Sequence, residues 1–296
     1  MKEKEPMSFQ KQLSRGEFVV LAEMDTPKGV DISDLITNAR RVKSRVDAVI
    51  IPDMGDGMMR MSALGGAVVM QQQGIEAIIH VYCRDRNKMA LQGDILTAHV
   101  LGIQNLLVVR GEDMEYGDHR DAKPVNDLDE LSLLGAIQSL QEGVDVAGFD
   151  LNGIPSFTVG CTIAPYADDK ALDTELELAK KKVEAGAQFI ITPPVFDLEH
   201  FSAFLERTKG LGVPIIATVF LLKSVGIARY MATNEPGAHI SEQLIQRIRK
   251  SPDRETEGLR IAGEAISDLK NITQGVQIVT LGWEYQLPSI LDYAGL

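Results

Sequence analysis

A glutamate, Glu23, closes the apolar run Phe18–Ala22 in the stretch FVVLAEMDTPKG, with Asp25 two residues on and a Thr-Pro-Lys-Gly turn behind it. A run that apolar reads as a strand covered on both faces. In a parallel α/β sheet, ligands meet the protein at the carboxyl ends of the strands. A carboxylate there with one apolar flank can hold a raised pKa and donate a proton. The alternative role for Glu23 is to cap the loop that follows. Other apolar runs end in the same way: Asp53 on the second, His80 and Tyr82 on the third, Arg110, Gly111, Glu112 and Asp113 on the fourth. Thr162, Thr192 and the pair Trp283–Glu284 close later ones. Singly, each has a structural explanation. His80 shares a face with Ile78 and Tyr82 and suits a core position, Lys180 to Lys182 suit a solvated helix face, and Arg110 can pair with Glu112 or Asp113. No histidine pair at helical spacing and no nucleophile elbow occurs, so metal-dependent hydrolysis and Ser or Cys nucleophilic catalysis find no support. Collected at one mouth, these side chains suit a flat heteroaromatic ligand with a polar edge.

The elements that would collect them alternate along the chain. Strands are predicted at Phe18–Asp25, Ala48–Asp53, Glu76–Cys83, Asn105–Gly111, Pro155–Ile163, Phe189–Phe196, Pro214–Phe220 and Val276–Gly282. Helical patterns lie between them at Asp31–Arg45, Ser62–Gln73, Lys88–Leu101, Asp129–Gln141, Asp173–Ala185 and Leu198–Lys209, with a longer insertion from Val225 to Leu269. Leu172, Leu176, Ala179 and Val183 form one apolar stripe with lysines opposite. Asp127 or Asp129 is placed to cap the fourth of these helices, and Asp173 or Thr174 the fifth. Gly74, Gly102, Gly143, Gly186 and Gly212 stand just past helix ends, where a left-handed residue is wanted. Eight strands alternating with helices predict a (β/α)8 barrel, a single domain with extra helices between strands 7 and 8. The competing doubly wound sheet lacks its Gly-x-Gly-x-x-Gly after the first strand. Residues 1–16 read as an N-terminal extension and 17–296 as the barrel, and the stretch from Val225 to Pro252 reads as two helices outside it.

Composition fits a globular chain: 296 residues, 45% hydrophobic, 24% charged and 5% aromatic. A net charge of -12 argues against nonspecific nucleic-acid binding. No stretch of about 18 apolar residues suggests a membrane span, and the charged start is not a secretory signal. Cys83 and Cys161 are far apart and suggest neither a disulfide framework nor a zinc site. A reducing cytoplasm is the expected location, and no metal is expected.

The order of motifs resembles the methylenetetrahydrofolate reductase family of flavin-dependent barrels, from about Glu17 to Leu296. The densest block is CRDRNKMALQGDILTAHVLGIQNLLVVRGED, Cys83 to Asp113, followed by GDHRDAKPVNDLDEL, Gly117 to Leu131. A second is ELELAKKKVEAGAQFIITPPVFD, Glu175 to Asp197. The resemblance implies FAD as cofactor, NADH or NADPH as electron donor and reduction of 5,10-methylenetetrahydrofolate to 5-methyltetrahydrofolate. It also implies a homo-oligomer or a subunit of a redox complex, in the form without an appended regulatory domain. It assigns the acid to Glu23 and flavin contacts to His80, Arg110, Gly111 and Glu112, the last also within reach of the pterin. Further flavin contacts fall on Pro52, Asp53, Pro124, Val125, Gly160, Thr162 and Tyr166. Glu175 matches the ribose ligand, and Lys181 and Lys182 match the basic pair near the diphosphate.

On the substrate side, where Thr192 and Trp283 are the candidates, the chain departs from the family pattern. Pro193 and Ile227 stand where glutamines are usual, and Trp283 stands where a folate-contacting arginine is usual. None of the three replaces the lost hydrogen-bonding groups, although Trp283 could stack on a ring. Two other readings stay open: a flavoprotein redox subunit fed by a partner iron–sulfur or flavoprotein, and a flavin-free pterin-binding barrel.

Overall fold

Alternating side chains sort each strand into one face turned inward and one turned toward helices. The computed structural model, which describes residues 7–296, closes eight parallel strands into a barrel in sequential order. These are β1 (Val19–Glu23), β2 (Ala48–Ile51), β3 (Ala77–Tyr82), β4 (Asn105–Val109), β5 (Thr158–Thr162), β6 (Phe189–Pro194), β7 (Ile215–Phe220) and β8 (Gly275–Val279). They fall inside the predicted runs, except that β8 begins one residue earlier. Closure comes from β1 on β8, with Leu21 beside Gln277 and Val19 beside Gly275.

Val19, Leu21, Ile50, Ile78, Leu107 and Phe189 pack together inside the cylinder. Their strand neighbours Val20, Ala22, Val49, Ile79, Val108 and Ile190 belong to the larger core beneath the helices. Gly160 makes this interior possible: a Cβ there would lie 2.3 Å from the Phe189 ring. The amino-terminal end of the barrel is closed by α1 (Phe9–Ser14). Phe9 is fully buried, sits edge-on to Phe189 at 5.3 Å between centroids, and donates its backbone N–H to Glu76 at 2.8 Å.

The outer layer comprises α2 (Ser33–Val42), α3 (Ala63–Gln72), α4 (Lys88–Val100), α5 (Glu130–Gln141), α6 (Asp169–Glu184) and α7 (Leu198–Thr208). It continues with α8 (Val225–Asn234), α9 (Glu242–Lys250), α10 (Arg254–Leu269) and α11 (Leu287–Tyr293). Asp129 caps α5, accepting from Ser132 N–H at 2.7 Å, while Asp127 instead accepts from Lys88 N–H at 3.0 Å. The start predicted for α6 is corrected: Asp168 caps it through Ala171 N–H at 2.8 Å. Asp173 lies within the helix and pairs with Arg207 across to α7 at 2.5 Å. The five glycines predicted past helix ends all take positive φ. Between β7 and β8, α8 and α9 carry a small core of their own around Leu222, Ala228, Ile245 and Ile248, and α10 returns to pack on β7, β8 and α11.

Candidate functional site

Alternation on β1 carries Glu23 inward, one step above Leu21, at the carboxyl end of the barrel. On β8 the outward residues are Val276 and Ile278, so Gln277 faces in and donates from Nε2 to Glu23 Oε2 at 2.7 Å. Burial pushes Glu23 up to about 8, and the neighbouring Asp25 charge adds to the rise, while the Gln277 hydrogen bond opposes it. Glu284 and Asp56 add smaller increments. Asp25 is itself raised by burial, against the pull of Arg60, whose Nη1 lies 3.3 Å from it. On β3, His80 Nδ1 lies 2.8 Å from the Tyr82 hydroxyl, and Nε2 is sealed from solvent with no partner among the described residues. Burial lowers His80 to about 3, so the ring is neutral. The mouth thus holds a protonated acid and an uncharged imidazole near neutral pH.

Beside the mouth runs a cleft of about 880 Å³, between the loops that follow β4 and β5 and the flank of α6. Arg110, Gly111 and Glu112 line one end, Pro124 and Thr162 the middle, and Glu175 and Lys182 the α6 side. Arg110 and Glu112 are exposed, and Arg110 pairs with neither Glu112 nor Asp113. Glu175 accepts from Ala164 N–H at 3.2 Å. Lys182 is buried and donates to Glu130 at 2.7 Å and to the Thr162 carbonyl at 2.9 Å.

Several residues expected at the cofactor or substrate stand elsewhere. Lys181 is exposed on α6 and is not part of the cleft wall, because one position along a helix turns a side chain by about 100°. Gly160 lies inside the barrel, where its missing Cβ is occupied by Phe189. Asp53 is buried and structural in its contacts, accepting from Ala63 N–H at 3.2 Å and from Arg86 at 2.7 Å. Pro52 precedes it, half-buried. Val125 is exposed while its N–H donates to the Arg84 carbonyl at 2.7 Å.

Tyr166 and Thr192 line a separate cavity of about 30 Å³ with Pro193, His200 and Phe204. Tyr166 stacks on Phe204 there. Thr192 follows inward-facing Ile191 and so turns outward; its hydroxyl accepts from Thr218 N–H at 3.4 Å and donates to the Pro193 carbonyl at 2.9 Å, beside an irregularity in β6 between Ile191 and Pro194. Trp283 packs partly on the main core, with Lys223 Nζ 5.0 Å from its ring centroid. Ile227 packs against the small core of α8 and α9.

Two residues that shape the candidate site escaped the sequence reading. Gln277 was legible in principle as the one polar residue inside the apolar strand Gly275–Val279. Arg84 carried no such signal: in CRDR it reads as one charge among several. It is nevertheless buried, and its guanidinium donates to the carbonyls of Met54, Gly55 and Glu112 and pairs with Asp85. Glu112 N–H in turn donates to the Gly55 carbonyl at 2.8 Å. The loops after β2, β3 and β4 are thereby tied into one wall at the mouth. Gly111 sits tightly against this wall, since a Cβ would meet Arg84 at 3.2 Å and Tyr82 at 3.3 Å.

A closed parallel barrel that brings a buried acid, a neutral histidine and a long cleft together at the carboxyl ends of its strands has the frame of a (β/α)8 enzyme. The chain belongs to the methylenetetrahydrofolate reductase family, whose model matches residues 8–295. It is 26% identical over 240 residues to methylenetetrahydrofolate reductase 2 of Schizosaccharomyces pombe, an alignment covering 76% of this chain and 37% of that protein. It is 25% identical over 147 residues to 5,10-methylenetetrahydrofolate reductase of Salmonella typhimurium, covering 50% of this chain and 44% of that one. The match thus spans less than half the length of these relatives. Among solved structures, EDTA monooxygenase from Chelativorans sp. BNC1 superposes with a TM-score of 0.56 at 10% identity, covering 94% of each chain, a likeness of fold alone. No helix among the described residues is long and apolar enough to cross a membrane.

Proposed function

We propose that this chain reduces 5,10-methylenetetrahydrofolate to 5-methyltetrahydrofolate with FAD in the cleft, NADH or NADPH as donor and Glu23 as the acid. The observation that carries the reading is the state of Glu23: at about 8 it keeps its proton at neutral pH, as a general acid must. The cleft fits a flavin dinucleotide on three counts. Its volume is that of a cofactor site, Gly111 offers backbone without a side chain, and Arg110 presents a guanidinium that no carboxylate among the described residues has claimed. Bound there, the flavin would supply the hydride chemistry that protein side chains lack.

The protein's own part is binding, exclusion of water and proton handling. Arg110 and Lys182 would hold the diphosphate, with Lys182 shared between it and Glu130. Glu175 would take the ribose hydroxyls, and Glu112 the polar edge of the ring system. Neutral His80 keeps Nε2 free to hydrogen-bond without adding charge. Glu23 would protonate the substrate nitrogen N10, so that its bond to the methylene carbon can break.

The test is a flavin spectrum of freshly purified protein, followed by its bleaching with NADH or NADPH. Glu23→Gln should keep both and lose folate turnover by about 10²- to 10⁴-fold. A colourless protein that binds no added FAD, or a fully active Glu23→Gln variant, would overturn the reading.

A further inference from the structure

Gln277 sits in the middle of β8, 5% exposed, with Leu21 of β1 on one side and Thr218 of β7 on the other. Its Nε2 makes the hydrogen bond to Glu23 Oε2, 2.7 Å long, across 254 residues of chain. An amide nitrogen donates and does not accept. Oε2 therefore offers a lone pair to Gln277, and a hydroxyl hydrogen on Oε2 would compete for that site. The acid proton belongs on the other oxygen.

We infer that Gln277 is a positioning residue that confines the acidic proton of Glu23 to Oε1, so that a single O–H is presented to the substrate. The inference rests on the reading of Glu23 as proton donor. In the transfer, the Oε1–H bond breaks and an N–H bond forms on the substrate amine. The amine's bond to the methylene carbon then breaks, with its electron pair remaining on nitrogen. The carboxylate left behind keeps its hydrogen bond from Gln277, now charge-assisted and stronger. Gln277 thus orients the acid before transfer and stabilises the anion after it.

The other groups facing Glu23 cannot do this. Asp25 at the end of the same strand, Asp56 after β2 and Glu284 after β8 act on Glu23 as negative charges, all raising its affinity for the proton. Tyr82 on β3 feels the Glu23 charge, but its hydroxyl is engaged with His80. Arg60 pairs with Asp25 and Asp56, and Lys223 donates to the Leu281 carbonyl. Gln277 is the group that opposes the rise through a hydrogen bond.

The test reads the carboxyl directly. The infrared band of the buried acid, isolated by subtraction against Glu23→Gln, is titrated in protein as purified and in Gln277→Met, an unbranched side chain of similar length. The inference expects the Gln277→Met midpoint to move up by about one pH unit, a tenfold weaker acid, and the carbonyl stretch to move to higher frequency as its donor is lost. In turnover, kcat should fall while KM for the folate stays, and the alkaline loss of rate should shift upward with the infrared midpoint. A midpoint that stays or moves down overturns the inference. Gln277→Leu serves as a second variant. If neither variant folds, the wild-type Gln277 side-chain amide resonance must titrate together with Glu23, and a pH-independent resonance overturns the inference. The two failures are separable: a fully active Glu23→Gln rejects the acid itself, whereas an inactive Glu23→Gln with an unmoved Gln277→Met midpoint rejects the role of Gln277 alone.

Discussion

Glu23 and His80 both carry a titratable group into the barrel, and burial drives them in opposite directions, to about 8 and about 3. The outcome is common to both: each is neutral at pH 7, while charges such as Arg60 with Asp25 and Asp56 stay at the rim. This has a consequence for stability. Between the ordinary carboxyl value of 4.5 and about 8, the folded state keeps the Glu23 proton and the unfolded chain has released it. The stabilisation by protonated Glu23 is complete below 4.5 and is lost as pH rises through that window, at about 1.4 kcal/mol per pH unit. Glu23→Gln should therefore gain stability over wild type progressively from pH 5 to pH 8, by an amount on the order of a few kcal/mol. Denaturant melts across that range would show a constant difference if Glu23 were not buried as an acid. A second residue-scale expectation concerns the lysines of α6. Lys182→Met should weaken FAD retention and Lys181→Ala should not, because only Lys182 reaches the cleft. Equal flavin content in all three proteins would remove Lys182 from the proposed cradle.

Strands β5 and β6 illustrate how an element's residue can be chosen by its neighbour. Phe189 of β6 fills the barrel interior only because position 160 of β5 lacks a side chain, and an added Cβ would stand 2.3 to 2.7 Å from three ring atoms. Gly160→Ala is expected to destabilise by about 1–3 kcal/mol, as overpacking of a filled core does. Phe189→Leu in the same chain should recover part of that loss. A Gly160→Ala protein with the wild-type denaturation midpoint would show that the interior has slack at this level. Arg84 is the matching case among the loops. Arg84→Met removes the side-chain donor shared by three carbonyls, of which those of Met54 and Gly55 keep a backbone N–H partner, so the loops after β2 and β4 should exchange amide hydrogens faster at Glu112. Unchanged protection there would mean that the Glu112 to Gly55 backbone bond holds the wall by itself.

At the scale of the whole molecule, the barrel is sealed at one end by a residue that precedes its first strand. Phe9 is fully buried on Phe189, and Leu13 joins it. Phe9→Ala should cost about 3–5 kcal/mol in global stability, measured by equilibrium unfolding. A cost below about 1 kcal/mol would place Phe9 outside the cooperative core. Nothing in FQKQLS announces this, because two apolar residues in a charged stretch have the pattern of any surface helix. The eight strands and the helices around them were legible because each is a run whose periodicity a short window contains.

Strand-end chemistry was legible in part for the same reason. Glu23 and His80 lie on strands whose alternation dictates an inward aim, and the glycines past helix ends follow from the backbone conformation those turns require. The start of α6 was misread because Asp168 and Asp173 are equally good caps in sequence, and Asp173 turned out to pair with α7. The surroundings of Gly160, Thr192 and Lys181 were not legible for a related reason: whether a side chain faces a cleft, a neighbouring ring or solvent depends on the stagger of the adjacent strand or the rotation of a helix. The sequence by itself determined the class of barrel, the order of its elements and the family to which it belongs, since these rest on local pattern and on long ordered blocks. Only the tertiary structure decided that Gln277 meets Glu23, that Arg84 binds three loops and that Phe9 closes the floor. Each of these contacts joins residues distant in the chain, and their distances are set by barrel closure.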